Sequence, residues 1–190
     1  HKNVNRPETF QKLVEKIHGH GILVFGLFIF GFASDGPSVF DETVKFNIDS
    51  NFDMCAYSVL TPYPGTLLWY QMKKDVVSFD WNNYDQGHIV YQPKNLTPDQ
   101  LREGQMHAYK RFYSLPSIAR RIPLSGSRSL SQWSIYNMFF RKGGVTGRNI
   151  RNAVAAPTAA TGYTPRPPIM PLKREWREVV EKDIELSRSA

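Results

Sequence analysis

Apolar positions along the first hundred residues alternate between helical and extended patterns. Phe10, Leu13, Val14 and Ile17 recur at the spacing of one helix face, and Gly19 and Gly21 end the run. Pro7 suits the opening turn, where a missing N–H costs no intrahelical bond. Ile22 to Phe32 is a continuous run of β-branched and aromatic residues, the pattern of a strand buried on both faces. Asp35-Gly36-Pro37 then opens a helix with Phe40, Val44 and Ile48 on one side. Met54 to Leu60 is the next apolar strand, stopped by Thr61-Pro62-Tyr63-Pro64-Gly65-Thr66. Helix and strand alternating over short connections predict βα units and a parallel sheet, with strands near 22–32 and 53–60. The fold class is α/β.

The pattern loosens beyond a short helix near Leu67–Lys74. His88-Ile89-Val90-Tyr91 reads as a short strand. Thr97-Pro98-Asp99-Gln100 is a helix start: a capping Thr, a first-turn Pro, and Gln three residues after the cap. Leu101, Ala108, Tyr109, Phe112 and Tyr113 supply the apolar face of that helix, and Pro116 breaks it. Leu130 to Phe140 forms another helix, carrying Trp133, Tyr136, Phe139 and Phe140. Gly143 to Pro171 is rich in Gly, Ala, Thr and Pro and reads as linker or extended tail, and Arg174 to Ser187 as an amphipathic helix. The expected divisions are 1–95, the βα units, which the resemblance given below implies are half of a barrel; 96–142, a mostly helical basic extension; 143–173, the linker; and 174–190, the terminal helix.

Composition narrows the function classes. Of 190 residues 41% are apolar and 22% charged, enough for a packed core. The lone Cys55 excludes an intrachain disulfide, a four-cysteine zinc site and a cysteine-ligated iron–sulfur cluster built from this chain alone. The longest uncharged apolar stretch falls well short of the roughly 20 residues that span a bilayer. No basic-then-apolar leader opens the sequence, so the expected compartment is the cytoplasm. P-loop, zincin and CxxC motifs do not occur. The net charge of +7 is uneven: no acidic residue stands between Glu103 and Glu175. That basic region contains Lys110, Arg111, Arg120, Arg121, Arg141 and Lys142 among aromatic residues. Three accounts compete for it. One is a solvated helix face with its aromatics packed inward. The second is contact with an anionic membrane or lipid substrate, which adds membrane association to the expected compartment. The third, less favoured, is nucleic-acid binding.

Candidate chemistry concentrates at the two strand ends, because ligands of parallel α/β sheets sit at the carboxyl ends of strands. Gly31 there would let a ligand approach the backbone, and Gly65 would permit a positive φ in a tight turn. The simpler reading of both is turn chemistry. His18 and His20 flank a helix end and are read as solvated cap residues, and no metal-ligand set is found. His88 and His107 have no carboxylate or serine at a triad spacing. Asp80 and Asp85 are expected to accept backbone N–H bonds.

Ordered fragments over 2–122 carry a resemblance. They are Asn5-Arg6; FIFGF followed by Asp35; SVLTPYPGT at Ser58–Thr66; Asp80 to Asp85; His88-Ile89-Val90; Leu96-Thr97-Pro98; and YKRFYSLPSIARRI at Tyr109–Ile122. This text resembles the C-terminal half of the catalytic domain of radical S-adenosylmethionine enzymes, in the branch that carries an N-terminal cobalamin-binding domain. The resemblance implies a partial (β/α)6 barrel whose fifth and sixth strands are the two found here. It implies adenine contact by Ile29 and Gly31, and a cavity wall formed by Thr61, Pro62, Gly65 and Thr66. Leu27 stands where the family's strand motif often has Gly, and Asp35 lies slightly later than the motif's acid. The family holds a [4Fe–4S] cluster through C-x3-C-x2-C, which is missing here. The implied cofactors of the parent enzyme are S-adenosylmethionine, that cluster and, in this branch, cobalamin. The chain is therefore expected to be the C-terminal portion of a longer enzyme, inactive alone, needing an N-terminal half or a partner protein. The alternative is a non-catalytic binding or structural subunit that docks on a larger complex or anionic membrane through its basic aromatic segment.

Overall fold

The computed structural model describes residues 7–123 and 128–142. The expected linker at 143–173 and terminal helix at 174–190 lie outside the described residues. Along the chain come α1 (Pro7–Gly19), β1 (Phe25–Phe30), α2 (Val39–Asp49), β2 (Met54–Val59) and α3 (Leu67–Met72). A 3-10 turn at Trp81–Asn83 precedes α4 (Pro98–Phe112), α5 (Leu115–Arg120) and α6 (Leu130–Arg141). The strands pair in parallel, from Phe25 beside Met54 to Phe30 beside Val59, joined through α2. This is the predicted βαβ arrangement. Thr97 accepts from Gln100 N–H while the Gln100 side chain accepts from Thr97 N–H, so the anticipated capping box starts α4. His88–Tyr91 is not a strand; Tyr91 forms one antiparallel bridge with Val76.

β1 departs from expectation in its burial. Side chains alternate across a strand. Phe30, with Tyr57 and Val59 of β2, turns into the core, whereas Phe25, Leu27 and Ile29 are exposed, Leu27 by 74%. On that outer face Phe140 of α6 lies 5.9 Å from the Phe25 ring, while Leu27 and Ile29 keep most or about half of their surface exposed. The inner face is aromatic: Tyr57 stacks on Phe30 at 5.6 Å and meets the Tyr109 ring edge-on at 5.1 Å. Phe40 of α2 packs on Phe30 and reaches α4 at Gly104, where a Cβ would collide with its ring. One apolar core thus joins the strands, α2 and α4.

The outer edge of β2 is closed by side chains. Cys55 N–H donates to Tyr113 Oη at 3.0 Å, and that hydroxyl donates to Cys55 O at 2.8 Å. Tyr57 N–H donates to Tyr109 Oη at 2.9 Å, and Gln105 Nε2 donates to Tyr57 O at 2.7 Å. Gln105, Tyr109 and Tyr113 follow at helical spacing, so α4 and its cap replace a neighbouring strand with a ladder of polar groups. Val59 N–H completes the edge by donating to Gln86 O at 2.8 Å. β1 has no second strand partner among the described residues.

The N-terminal ends of the strands rest on a buried polar network. Asp53, fully buried, accepts from Val24 N–H and pairs with His18 Nε2, both at 2.7 Å, and accepts from Arg128 Nη1 at 2.7 Å. His18 is therefore not a solvated cap residue but a buried partner of Asp53. Arg121 also departs from its expected place on a basic surface: it is 1% exposed. Its guanidinium donates to Phe52 O, Asp53 O and Phe112 O at 2.9 to 3.0 Å and lies 3.8 Å above the Phe112 ring. Burial lowers its pKa from the ordinary arginine value, so these carbonyls matter as acceptors. Asn137 of α6 donates to Asp53 O as well.

Candidate functional site

At the C-terminal tips the chain turns sharply after each strand. Gly31 adopts φ +102, and its N–H donates to Asp35 Oδ2 at 2.8 Å, with Phe32 N–H on the same oxygen at 3.1 Å. Asp35 thus closes the loop it lies in. A side chain at Gly31 would meet Tyr91, whose hydroxyl donates to Gly31 O at 2.6 Å. The close approach that the glycine permits is made by Tyr91 of the protein itself. Beside it Ile29 and Phe32 are 48% and 44% exposed.

After β2, Thr61 and Pro62 are buried, and Thr61 Oγ1 donates to Val59 O at 3.1 Å. Gly65 has the expected positive φ, +82. Thr66 caps α3: its hydroxyl accepts from Trp69 N–H and donates to Tyr63 O at 2.7 Å. Tyr63 Oη in turn donates to Tyr84 O at 3.0 Å, tying this loop to the segment Tyr84–Tyr91. The structure therefore places Ile29 near the end of β1, Gly31 in the loop after it, and Thr61, Pro62, Gly65 and Thr66 in the loop after the adjacent parallel strand β2.

Two histidines do have carboxylate partners, contrary to the reading from spacing. His88 Nδ1 lies 3.0 Å from both oxygens of Asp85, and His107 Nε2 lies 2.9 Å from Asp41 Oδ1. The second pairing crosses from α4 to α2, a contact that sequence distance hides. The His107 hydrogen bond, with Arg111 nearby, holds the Asp41 carboxyl below its ordinary range. As expected, Asp80 accepts from Asn82 N–H, and Asp85 from Gly87 and His88 N–H.

Much of the basic set is already engaged. Arg111 pairs with Asp41, Arg120 with Asp49 at 3.0 Å, and Arg141 donates to Tyr113 O at 3.1 Å. Lys110 and Lys142 are exposed. Phe112, Tyr113 and Trp133 are buried and so present no face for stacking bases. Among the described residues no helix is long and apolar enough to cross a membrane.

The residues fit the implied cofactors unequally. Cys55 is fully buried within β2, and desolvation pushes its thiol far above the ordinary range, so it offers no thiolate to iron. Among the described residues no three His, Cys, Asp or Glu side chains gather as a metal site. A flat apolar group finds a better match. Ile29 and Phe32, both apolar and about half exposed, stand on either side of the turn at Gly31.

No family model and no solved structure matches the chain. Among curated proteins it is 34% identical over 121 residues to bacteriochlorophyllide d C-12(1)-methyltransferase of Chlorobaculum tepidum, covering 64% of this chain and 26% of that protein. Bacteriochlorophyllide d C-8(2)-methyltransferase of the same organism is 26% identical over 121 residues, 63% of this chain and 27% of that protein. Anaerobic magnesium-protoporphyrin IX monomethyl ester cyclase of Cereibacter sphaeroides is 33% identical over 86 residues, 45% of this chain and 14% of that protein. The chain thus spans about a quarter of the length of the two methyltransferases it matches.

Proposed function

We propose that this chain is the C-terminal share of the catalytic domain of a radical S-adenosylmethionine enzyme, of the methyltransferase or cyclase kind that its relatives' names describe. The carrying observation is the asymmetry of the sheet. β2 is sealed by Gln105, Tyr109 and Tyr113, as suits the last strand of a longer sheet, whereas β1 has no strand on its other side among the described residues. In this reading β1 and β2 end a partial barrel, and the exposed Phe25, Leu27 and Ile29 face its interior.

Ile29 would hold the adenine of S-adenosylmethionine, with the backbone at Gly31 offering packing alone, because its N–H and O are bonded to Asp35 and Tyr91. Thr61, Pro62, Gly65 and Thr66 would wall the same hollow and exclude water from it. When bound, the cofactor supplies an electrophilic sulfonium. The [4Fe–4S] ligands and any cobalamin site belong to the remainder of the enzyme, and this share is inactive alone. Ultraviolet crosslinking of labelled S-adenosylmethionine to the full-length protein tests the reading. Label is expected in the peptides containing Ile29–Phe32 and Thr61–Thr66, and label confined elsewhere overturns it.

A second reading is favoured by α6, where Ile135, Tyr136, Met138 and Phe139 are exposed next to Arg141 and Lys142. Such a face suits docking on an anionic membrane. Sedimentation with anionic liposomes, weakening as salt rises, is its expected signature.

A further inference from the structure

The segment Tyr84–Tyr91, which the function proposed above does not use, is pinned to both strand tips. Gln86 O accepts from Val59 N–H at 2.8 Å at the end of β2. Tyr91 Oη reaches Gly31 O at 2.6 Å beyond the end of β1. In sequence His88 lies between these two anchors. Its Nδ1 faces both Asp85 oxygens at 3.0 Å, and Asp85 Oδ1 also accepts from Gly87 N–H and His88 N–H, each at 2.9 Å. Burial opposes ionisation of Asp85, but the ring and the two amides outweigh it and hold its carboxyl below the ordinary range.

An ionised carboxylate can only accept, so Nδ1 carries a proton, and in the neutral form of the ring the lone pair lies on Nε2. Among the described residues Nε2 has no hydrogen-bond partner, and the side chain remains 20% exposed. Asp85 is the charged group paired with it. Holding the loop needs only the two amide bonds; a ring fixed at one nitrogen and vacant at the other is arranged for proton transfer.

We propose that His88, oriented by Asp85, is the proton acceptor of the site at the strand tips. Nε2 takes a proton from an O–H, N–H or acidic C–H of the substrate, and the bonding pair stays on the substrate atom. The imidazolium then releases the proton to water. Asp85 acts as a positioning residue. The assignment rests on reading the tips as a cofactor and substrate site.

Two measurements test it. Diethyl pyrocarbonate, which acylates unprotonated ring nitrogens, is expected to modify His88 well ahead of His18, which is buried against Asp53. In the full-length enzyme, His88→Gln is expected to lower kcat about 100-fold and to remove the acidic limb of its pH profile. S-adenosylmethionine binding by that variant should match wild type. Asp85→Asn, the second variant, should move the acidic limb to lower pH, because the anion that favours imidazolium is gone. An unreactive His88, or a His88→Gln enzyme with the wild-type pH profile, overturns the assignment. So does a His88→Gln loss of rate that merely follows lost S-adenosylmethionine binding. If the wild-type enzyme fails to bind S-adenosylmethionine, the reading of the tips falls first, and the role of His88 with it.

Discussion

The two strands share one hydrogen-bonded ladder yet are finished in opposite ways. β2 is sealed along its outer edge by Tyr109, Tyr113 and Gln105, and braced at its start by Asp53. Among the described residues β1 pairs on one side only, and it exposes Phe25, Leu27 and Ile29. Buried backbone groups need partners, and an open strand edge invites pairing with another strand. The difference teaches that side chains can finish a strand edge as well as another strand can: α4 does so for β2, and no described element does so for β1.

Substitutions can break this contrast, the strongest at the base of β2. Asp53→Ala strands Arg128, His18 and Val24 N–H in a buried site, and an expected loss of about 3–5 kcal/mol should appear in urea unfolding. Tyr113→Phe removes the partner of both Cys55 backbone groups. It should cost about 2 kcal/mol and speed amide exchange at Cys55, and Tyr109→Phe should cost about half as much. By contrast, Leu27→Thr on the exposed face of β1 should change stability by less than about 0.5 kcal/mol. A large loss there would show that the outer face is covered.

The smallest effect is electrostatic. Asp85 has a folded-state pKa below its unfolded value, so the unfolded chain binds more protons in the acid range. The stability it contributes is complete above the ordinary carboxylate range and is lost as pH falls through the lowered folded value. Urea midpoints of wild type and Asp85→Asn should accordingly differ near neutrality and converge on acidification.

The tips were more legible than the base. Glycine at 31 and 65 signals turns that few other residues accept, and both have positive φ. Thr97 and Gln100 announce a capping box because the two partners are three residues apart. In contrast, His107 finds Asp41, and His18 finds Asp53, across distances that no local pattern encodes. Gln105, Tyr109 and Tyr113 read as an ordinary helix face, since their hydroxyls and amide gain meaning only beside a strand edge.

By itself, then, the sequence determined the alternation of helix and strand, the parallel pairing through α2, and the turns that end each strand. These follow from periodicity, capping and backbone sterics, which act within a few residues. The tertiary structure alone decided that Arg121 is an internal tie rather than a surface charge, that β2 is sealed, and that His107 meets Asp41. Whether a polar side chain meets water, a carbonyl or a carboxylate depends on which surfaces packing brings together, and that is a property of the folded chain.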